Sequence, residues 1–335
     1  MTRLKTGLAG LTAMALLATG AQAAAGGYHV VDRIAGPDGG WDYPFVDTVN
    51  NRVLLTRGAY VMSVDLATKA VNPNFATAQG SHAAIPVNGG AQVLITNGQT
   101  NTATIVDGKS GALLATIPTG KGPDAAVLDP SSGLVLVMDH AGGDITLVDP
   151  KIMKAIGTIP VGGTLEFGAV DGAGKAFVNV EDKGELVVID IAGRKVAARY
   201  KLAGCEGPTG LAYAPADKML ISTCDGVADI TAAATGKLVA SIKIGDGADG
   251  VAFDPKQKLA FAAGGASGTM TVISIAGGKA SLVETVPTQT TARTIAVDDR
   301  TGRVYLPAAT RVAPAPPSKR ATNAPGSFQL LVAGK

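Results

Sequence analysis

Apolar residues in this chain come in short runs that alternate with polar ones, and the runs are broken by Gly, Asp, Asn, Pro and Thr. Runs of this kind predict short β-strands joined by tight turns, and nothing after the first two dozen residues shows the spacing of a long amphipathic helix. The clearest run recurs as "YVMSVDL" from Tyr60, "TATIVDG" from Thr102, "DITLVDP" from Asp144 and "ELVVIDI" from Glu185. Its Asp stands at positions 65, 107, 149 and 190, and the same place falls on Ala232 and Ser274 further on. A seventh copy, "FQLLVAGK" from Phe328, arrives late because "RVAPAPPSKRATNAPG" intervenes.

A second run keeps the same beat. "YPFVD", "AAIPV", "AAVLD", "FGAVD", "GLAYA", "GVAFD" and "TIAVD" end at Asp47, Val87, Asp129, Asp171, Ala214, Asp254 and Asp298. Self-similarity at about 40 to 45 residues, with four strands per unit, predicts an all-β fold: a single β-propeller whose blades bury their faces against one another. Seven units fill residues 28–335, with blades starting near 41, 82, 123, 165, 208, 248 and 292 and a Pro-rich insert over 311–326. The last unit has three strands of its own, whereas "YHVVDRIAG" from Tyr28 is a strand without a unit. The N-terminal strand is therefore expected to complete the last blade, closing the ring and leaving no open sheet edge.

The segment "LITNGQTNTATIVDGKSGALLATIPTGKGPDAAVLDP" from Leu94 resembles the repeat of the YVTN-type seven-bladed β-propellers, with "LITN" in the place of the tetrapeptide that names them. The resemblance runs over nearly the whole chain after the N-terminal segment and is strongest in blades two to five. It implies an exported bacterial propeller. It implies little about chemistry, because one propeller scaffold carries many activities.

Residues 1–23 read as a cleavable signal peptide: Arg3 and Lys5 precede the short apolar core "GLAGLTAMALLATG", and Ala21-Gln22-Ala23 is a small-residue cleavage site. The expected product is periplasmic or secreted, without a membrane anchor: no later apolar run is long enough to span a bilayer, and the first cysteine, Cys205, is far from any lipidation point. Loss of the signal leaves 27 basic against 27 acidic residues. Such a balance argues against nucleic-acid binding by bulk charge, which needs a cationic face.

Candidate chemistry lies where the repeat stops repeating. Five residues before each first-strand endpoint stand Asp42, His82, Asp124, Glu166, Thr209, Asp249 and Arg293. In a propeller these positions ring one mouth of the central channel. They form the candidate ligand-binding set, and Asp42, Asp124, Glu166 and Asp249, as oxygen donors, together with His82 form the candidate set for a divalent cation. The competing reading is a wet channel mouth lined with charge. Four carboxylates against Arg293 predict a surplus of negative potential. His140, in the loop "VMDHAGGD", is expected on the same face near Asp124 and Asp139, either as a ligand or base or simply as a solvated loop residue. Trp41, Tyr43 and Phe45 offer aromatic contact or ordinary packing.

Cys205 and Cys224 flank the first two strands of blade five, and in an oxidising compartment such a pair is expected to form a disulfide rather than a metal or redox site. The chain has no Cys-x-x-Cys-His, no nucleophile elbow and no phosphate-cradling loop, and Trp41 is its single tryptophan. No catalytic residues are assigned and no cofactor is required. The leading expectation is a non-catalytic scaffold binding a small polar ligand or another periplasmic protein; the alternative is a divalent-metal-dependent hydrolase or lyase, similar to lactonases with a cation in the channel. An accessory role beside periplasmic redox enzymes is a third.

Overall fold

A computed structural model describes residues 26–313 and 321–335. The expected signal segment, 1–23, lies outside the described residues, as does the middle of the Pro-rich insert.

The described chain is all-β, apart from two short 3-10 turns, and is built of four-stranded antiparallel units. Blade three shows the pattern: Pro123–Leu128 innermost, then Val135–Asp139, Asp144–Asp149 and Lys154–Pro160 outermost. "VLVMD" is apolar on nearly every residue because a middle strand faces a neighbouring blade on both sides, and all five residues are buried. The outermost strands are exposed or part-buried at most positions, with Ile159 of blade three a buried exception, which is why Lys, Arg and Thr intrude there.

Among the described residues, seven apolar clusters occupy the seven blade interfaces. One joins blade one to blade two through Leu54, Phe75 and Ile95, and another joins blade seven to blade one through Leu330, Tyr305 and Leu55. Between them the ring is continuous, for example Leu136 and Ile145 of blade three against Val178 and Val187 of blade four. His29–Ala35 pairs antiparallel with Gln329–Gly334, on whose other side lie Arg303–Ala308 and Ala296–Asp298, so the N-terminal strand completes the last blade. One junction differs from the rest: Val71–Val87 runs without interruption from the outer edge of blade one to the centre of blade two. The insert starts and ends in a small hairpin, Arg311–Val312 against Thr322–Asn323, between the second and third strands of the last blade.

The recurring Asp residues are turn formers. Asp65 Oδ1 accepts the backbone N–H groups of Ala67 and Thr68 and the Thr68 hydroxyl, and Asp107 does the same with Lys109 and Ser110. Asp129, Asp254 and Asp298 tie the turn after the innermost strand in the same way. Short carboxylates capping the N–H groups two and three residues on are the preferred chemistry of such turns. All of these lie at the end of the strands away from the candidate mouth.

Cys205 and Cys224 form a disulfide with Cα atoms 5.3 Å apart, buried between blades four and five.

Candidate functional site

The mouth positions sit at or just before the start of the innermost strands, except His82, which lies within the continuous Val71–Val87. Asp124 and Glu166 are the second residues of Pro123–Leu128 and Leu165–Val170, and Asp249 is the second of Ala248–Asp254. Their backbone is pinned by the blade behind. Thr96 Oγ1 donates to Asp124 O at 2.7 Å, Thr56 Oγ1 to His82 O at 2.9 Å and Thr294 Oγ1 to Asp42 O at 2.9 Å. Asn179 Nδ2 donates to Thr209 O at 3.1 Å. These four side chains are fully buried, and each bond fixes the height at which its mouth residue emerges. Sequence reasoning overlooked them, although the polar residue at the end of otherwise apolar "RVLLT" and "QVLIT" was a visible signal.

Six of the seven ring residues, Asp42, His82, Asp124, Glu166, Asp249 and Arg293, line a single cavity of about 780 Å³ together with His140, Trp41 and Tyr43. Thr209 does not join them: its hydroxyl turns to Ala248 O at 3.0 Å and ties blade five to blade six.

Within the cavity the charges divide into two groups. Arg293 Nη1 donates to Asp249 Oδ2, while Nη2 donates to Trp41 O at 3.2 Å and lies 3.5 Å from Asp42 Oδ1. Burial pushes the Asp249 carboxyl up to about 6, with the guanidinium pulling the other way. Asp249 is thus engaged by a cation of the protein itself, which removes it from the expected metal set.

The second group gathers around two imidazoles. His82 Nδ1 donates to Asp42 Oδ2 at 2.6 Å and lies 3.2 Å from Asp124 Oδ1. His140 Nδ1 lies 3.1 Å from Glu166 Oε1, 3.0 Å from Leu165 O and 3.9 Å from Asp124 Oδ2. The Glu166 contact raises His140 to about 9, and the Asp42 bond raises His82. Burial, opposed by the histidines, raises Asp124 to about 7. The negative surplus expected from four carboxylates against Arg293 is therefore largely cancelled, because the count along the chain omitted His140 and assumed every carboxyl ionised.

Tyr43 crosses the channel. Its ring meets Phe167 of blade four edge-on at 4.9 Å, and burial followed by the surrounding Asp249, Asp124, Asp42 and Glu166 raises its phenol well above the ordinary value. It remains a protonated hydroxyl on the cavity wall, and packing is its main role. Phe45 is exposed, and Trp41 packs on Phe328 at 5.4 Å. Arg57 holds the loop that carries Trp41 and Asp42, donating to Gly40 O and Pro37 O at 2.7 Å each and stacking over Phe328. Asp139 points away from the mouth: it is fully buried and accepts from Thr146 Oγ1 at 2.6 Å.

No protein-family model matches the chain, and no curated protein resembles it in sequence. Solved structures do resemble it in fold. A chain of the mitotic checkpoint complex superposes with a TM-score of 0.76 at 13% identity, covering 99% of each chain. The WD40 repeats of RRP9 give 0.74 at 9% identity over 90% of this chain and 96% of that one. Hydrazine synthase of Kuenenia stuttgartiensis gives 0.70 at 16% identity over 80% and 92%. The chain is a β-propeller. At such identities the likeness concerns the fold alone.

Proposed function

We propose that this protein is a non-catalytic binding ring of the YVTN type, exported to the periplasm or secreted, that presents its channel mouth to a small polar ligand or to another exported protein. The observation that carries this reading is the division of labour among acidic residues. Those that recur with the repeat tie turns at one end of the strands, whereas those that break it converge with two histidines and Arg293 on one cavity at the other. A rigid scaffold with one irregular, polar, concave face is the ordinary form of a binding protein. The disulfide supports the compartment, and among the described residues no helix is long and apolar enough to cross a membrane. One propeller among the structural neighbours is a chain of the mitotic checkpoint complex, which supports the scaffold role by analogy.

A second reading, a metal-dependent hydrolase or lyase, is favoured by one specific observation: Asp42, His82 and Asp124, and again Asp124, His140 and Glu166, bring ligand atoms within 4.8 Å of one another. A cation there would act as a Lewis acid toward a carbonyl or lower the pKa of bound water.

The test is a thermal-shift screen of small polar metabolites and divalent cations against the wild type and a Glu166→Ala/Arg293→Ala variant. A mouth ligand raises the Tm of the wild type and not of the variant. Ligands that stabilise both equally would move the binding site elsewhere and overturn the reading.

A further inference from the structure

The two imidazole groups share Asp124, and the hydrogen-bond count around them does not balance. His82 Nδ1 has one proton to give and two carboxylate oxygens in reach, at 2.6 and 3.2 Å. His140 Nδ1 has one proton and three oxygens around it, from Glu166, Leu165 and Asp124. With Asp124 ionised, five acceptor oxygens thus face the two Nδ1 donors. The deficit falls on Asp124 Oδ1, which is closed off from solvent and has no hydrogen-bond partner. A buried carboxylate oxygen in that condition is costly unless something positive meets it. A metal ion accepts several lone pairs at once, which an N–H cannot do.

We propose that the mouth binds two divalent transition-metal ions side by side, one between Asp42, His82 and Asp124 and the other between Asp124, His140 and Glu166, with the Asp124 carboxylate bridging them. The inference rests on the mouth being the binding face. Each half offers one imidazole nitrogen and two carboxylates, a donor set suited to Zn²⁺ rather than to Ca²⁺, which takes oxygen ligands in larger number. This departs from the set expected along the sequence, Asp42, Asp124, Glu166, Asp249 and His82, in that His140 enters and Asp249 leaves. The two oxygens of Asp124 already point to different histidines, Oδ1 toward His82 and Oδ2 toward His140, as a bridge requires. Ligand atoms around an ion with bonds of about 2.1 Å lie roughly 3 to 4 Å apart, so the short Asp42–His82 contact would open slightly on loading. Three carboxylates against two divalent ions leave one positive charge, which fits a hydroxide or an anionic group of a ligand as the remaining donor. Gly98 keeps the space behind His82 open: a Cβ there would stand 3.1 Å from Nε2.

The experiment is calorimetric titration of the chelator-stripped full chain with ZnCl₂ and, separately, CaCl₂, backed by X-ray absorption on the loaded protein. Expected are two Zn²⁺ per chain, a metal–metal vector of about 3.5–4 Å, and Ca²⁺ binding weaker by at least about 100-fold. His82→Ala and His140→Ala should each leave one ion, Asp124→Ala should weaken both sites by about tenfold or more, and the surface variant His29→Ala should still hold two. A count of one that either histidine variant abolishes, no heat at all from a protein with native circular dichroism, or zinc retained by the His82→Ala/His140→Ala double variant would each overturn the two-ion site. If zinc fails while the mouth ligands of the thermal-shift screen still depend on Glu166 and Arg293, the inference alone falls and the binding ring stands.

Discussion

Asp139 lies directly behind the mouth, one residue before His140, and its carboxyl is fully buried with Oδ1 unpartnered. Burial raises it from an ordinary 3.8 to about 7, the Thr146 hydroxyl opposing and the neighbouring Asp144 adding to the rise. Between those two values the folded chain keeps a proton that the unfolded chain has released, so stability falls as pH climbs through the window. About three units at about 1.4 kcal/mol each set a ceiling of about 4 kcal/mol, fully expressed above about pH 8 and absent below about pH 4. Asp139→Asn removes the ionisation, keeps the acceptor for Thr146 and adds a donor that can face Asp144. For a ring of this size the unfolding entropy is about 0.6 kcal/mol per degree, so the variant should melt about 3–6 °C above wild type at pH 8 and level with it at pH 4. The assay is calorimetry of both proteins across this range in the presence of EDTA. A variant no more stable than wild type at pH 8, or a gain of the same size at both ends, would refute the argument, the second outcome pointing to packing rather than charge.

The remaining predictions concern what holds the blades and the mouth in place. Replacing Cys205 and Cys224 together by Ala should cost about 3 kcal/mol by the chain-entropy estimate for the loop they close, read as a lower urea midpoint; an unchanged midpoint would show that the bond is not a stabilising one. Arg52→Met strands the fully buried Asp47 and breaks the 2.6 Å bond to Gly108 O that joins blade one to blade two. Of its cost, about 3 kcal/mol, the part due to the stranded Asp47 charge should vanish in the Arg52→Met/Asp47→Asn double variant while the loss at Gly108 O remains, as a double-mutant cycle would reveal. Thr96→Val leaves the Asp124 carbonyl without its buried donor, and should cost about 1–3 kcal/mol and weaken any mouth ligand; equal binding by the variant would show that Thr96 does not position the site.

The fold was legible along the chain because a propeller repeats. Each unit cannot bury its own faces, so the same apolar runs, the same turn-forming Asp and the same interval have to return, and a spare first strand matched to a short last unit announces its partner. The residues that depart from the repeat were legible too, which is why Asp42, His82, Asp124, Glu166, Asp249 and Arg293 emerged as a ring before any geometry was known. Their pairing was not legible. Whether Arg293 takes Asp249 or Asp42, whether Thr209 faces the channel or the backbone of the next blade, and whether a loop histidine such as His140 reaches Glu166 depend on distances of about an ångström or two between blades far apart in sequence, and on the desolvation that raises Asp124 and Asp139. Interval and pattern determine which side chains reach the mouth; only the closed ring, by setting how near they come and how much water is left between them, decides which share a proton and which could share a metal ion.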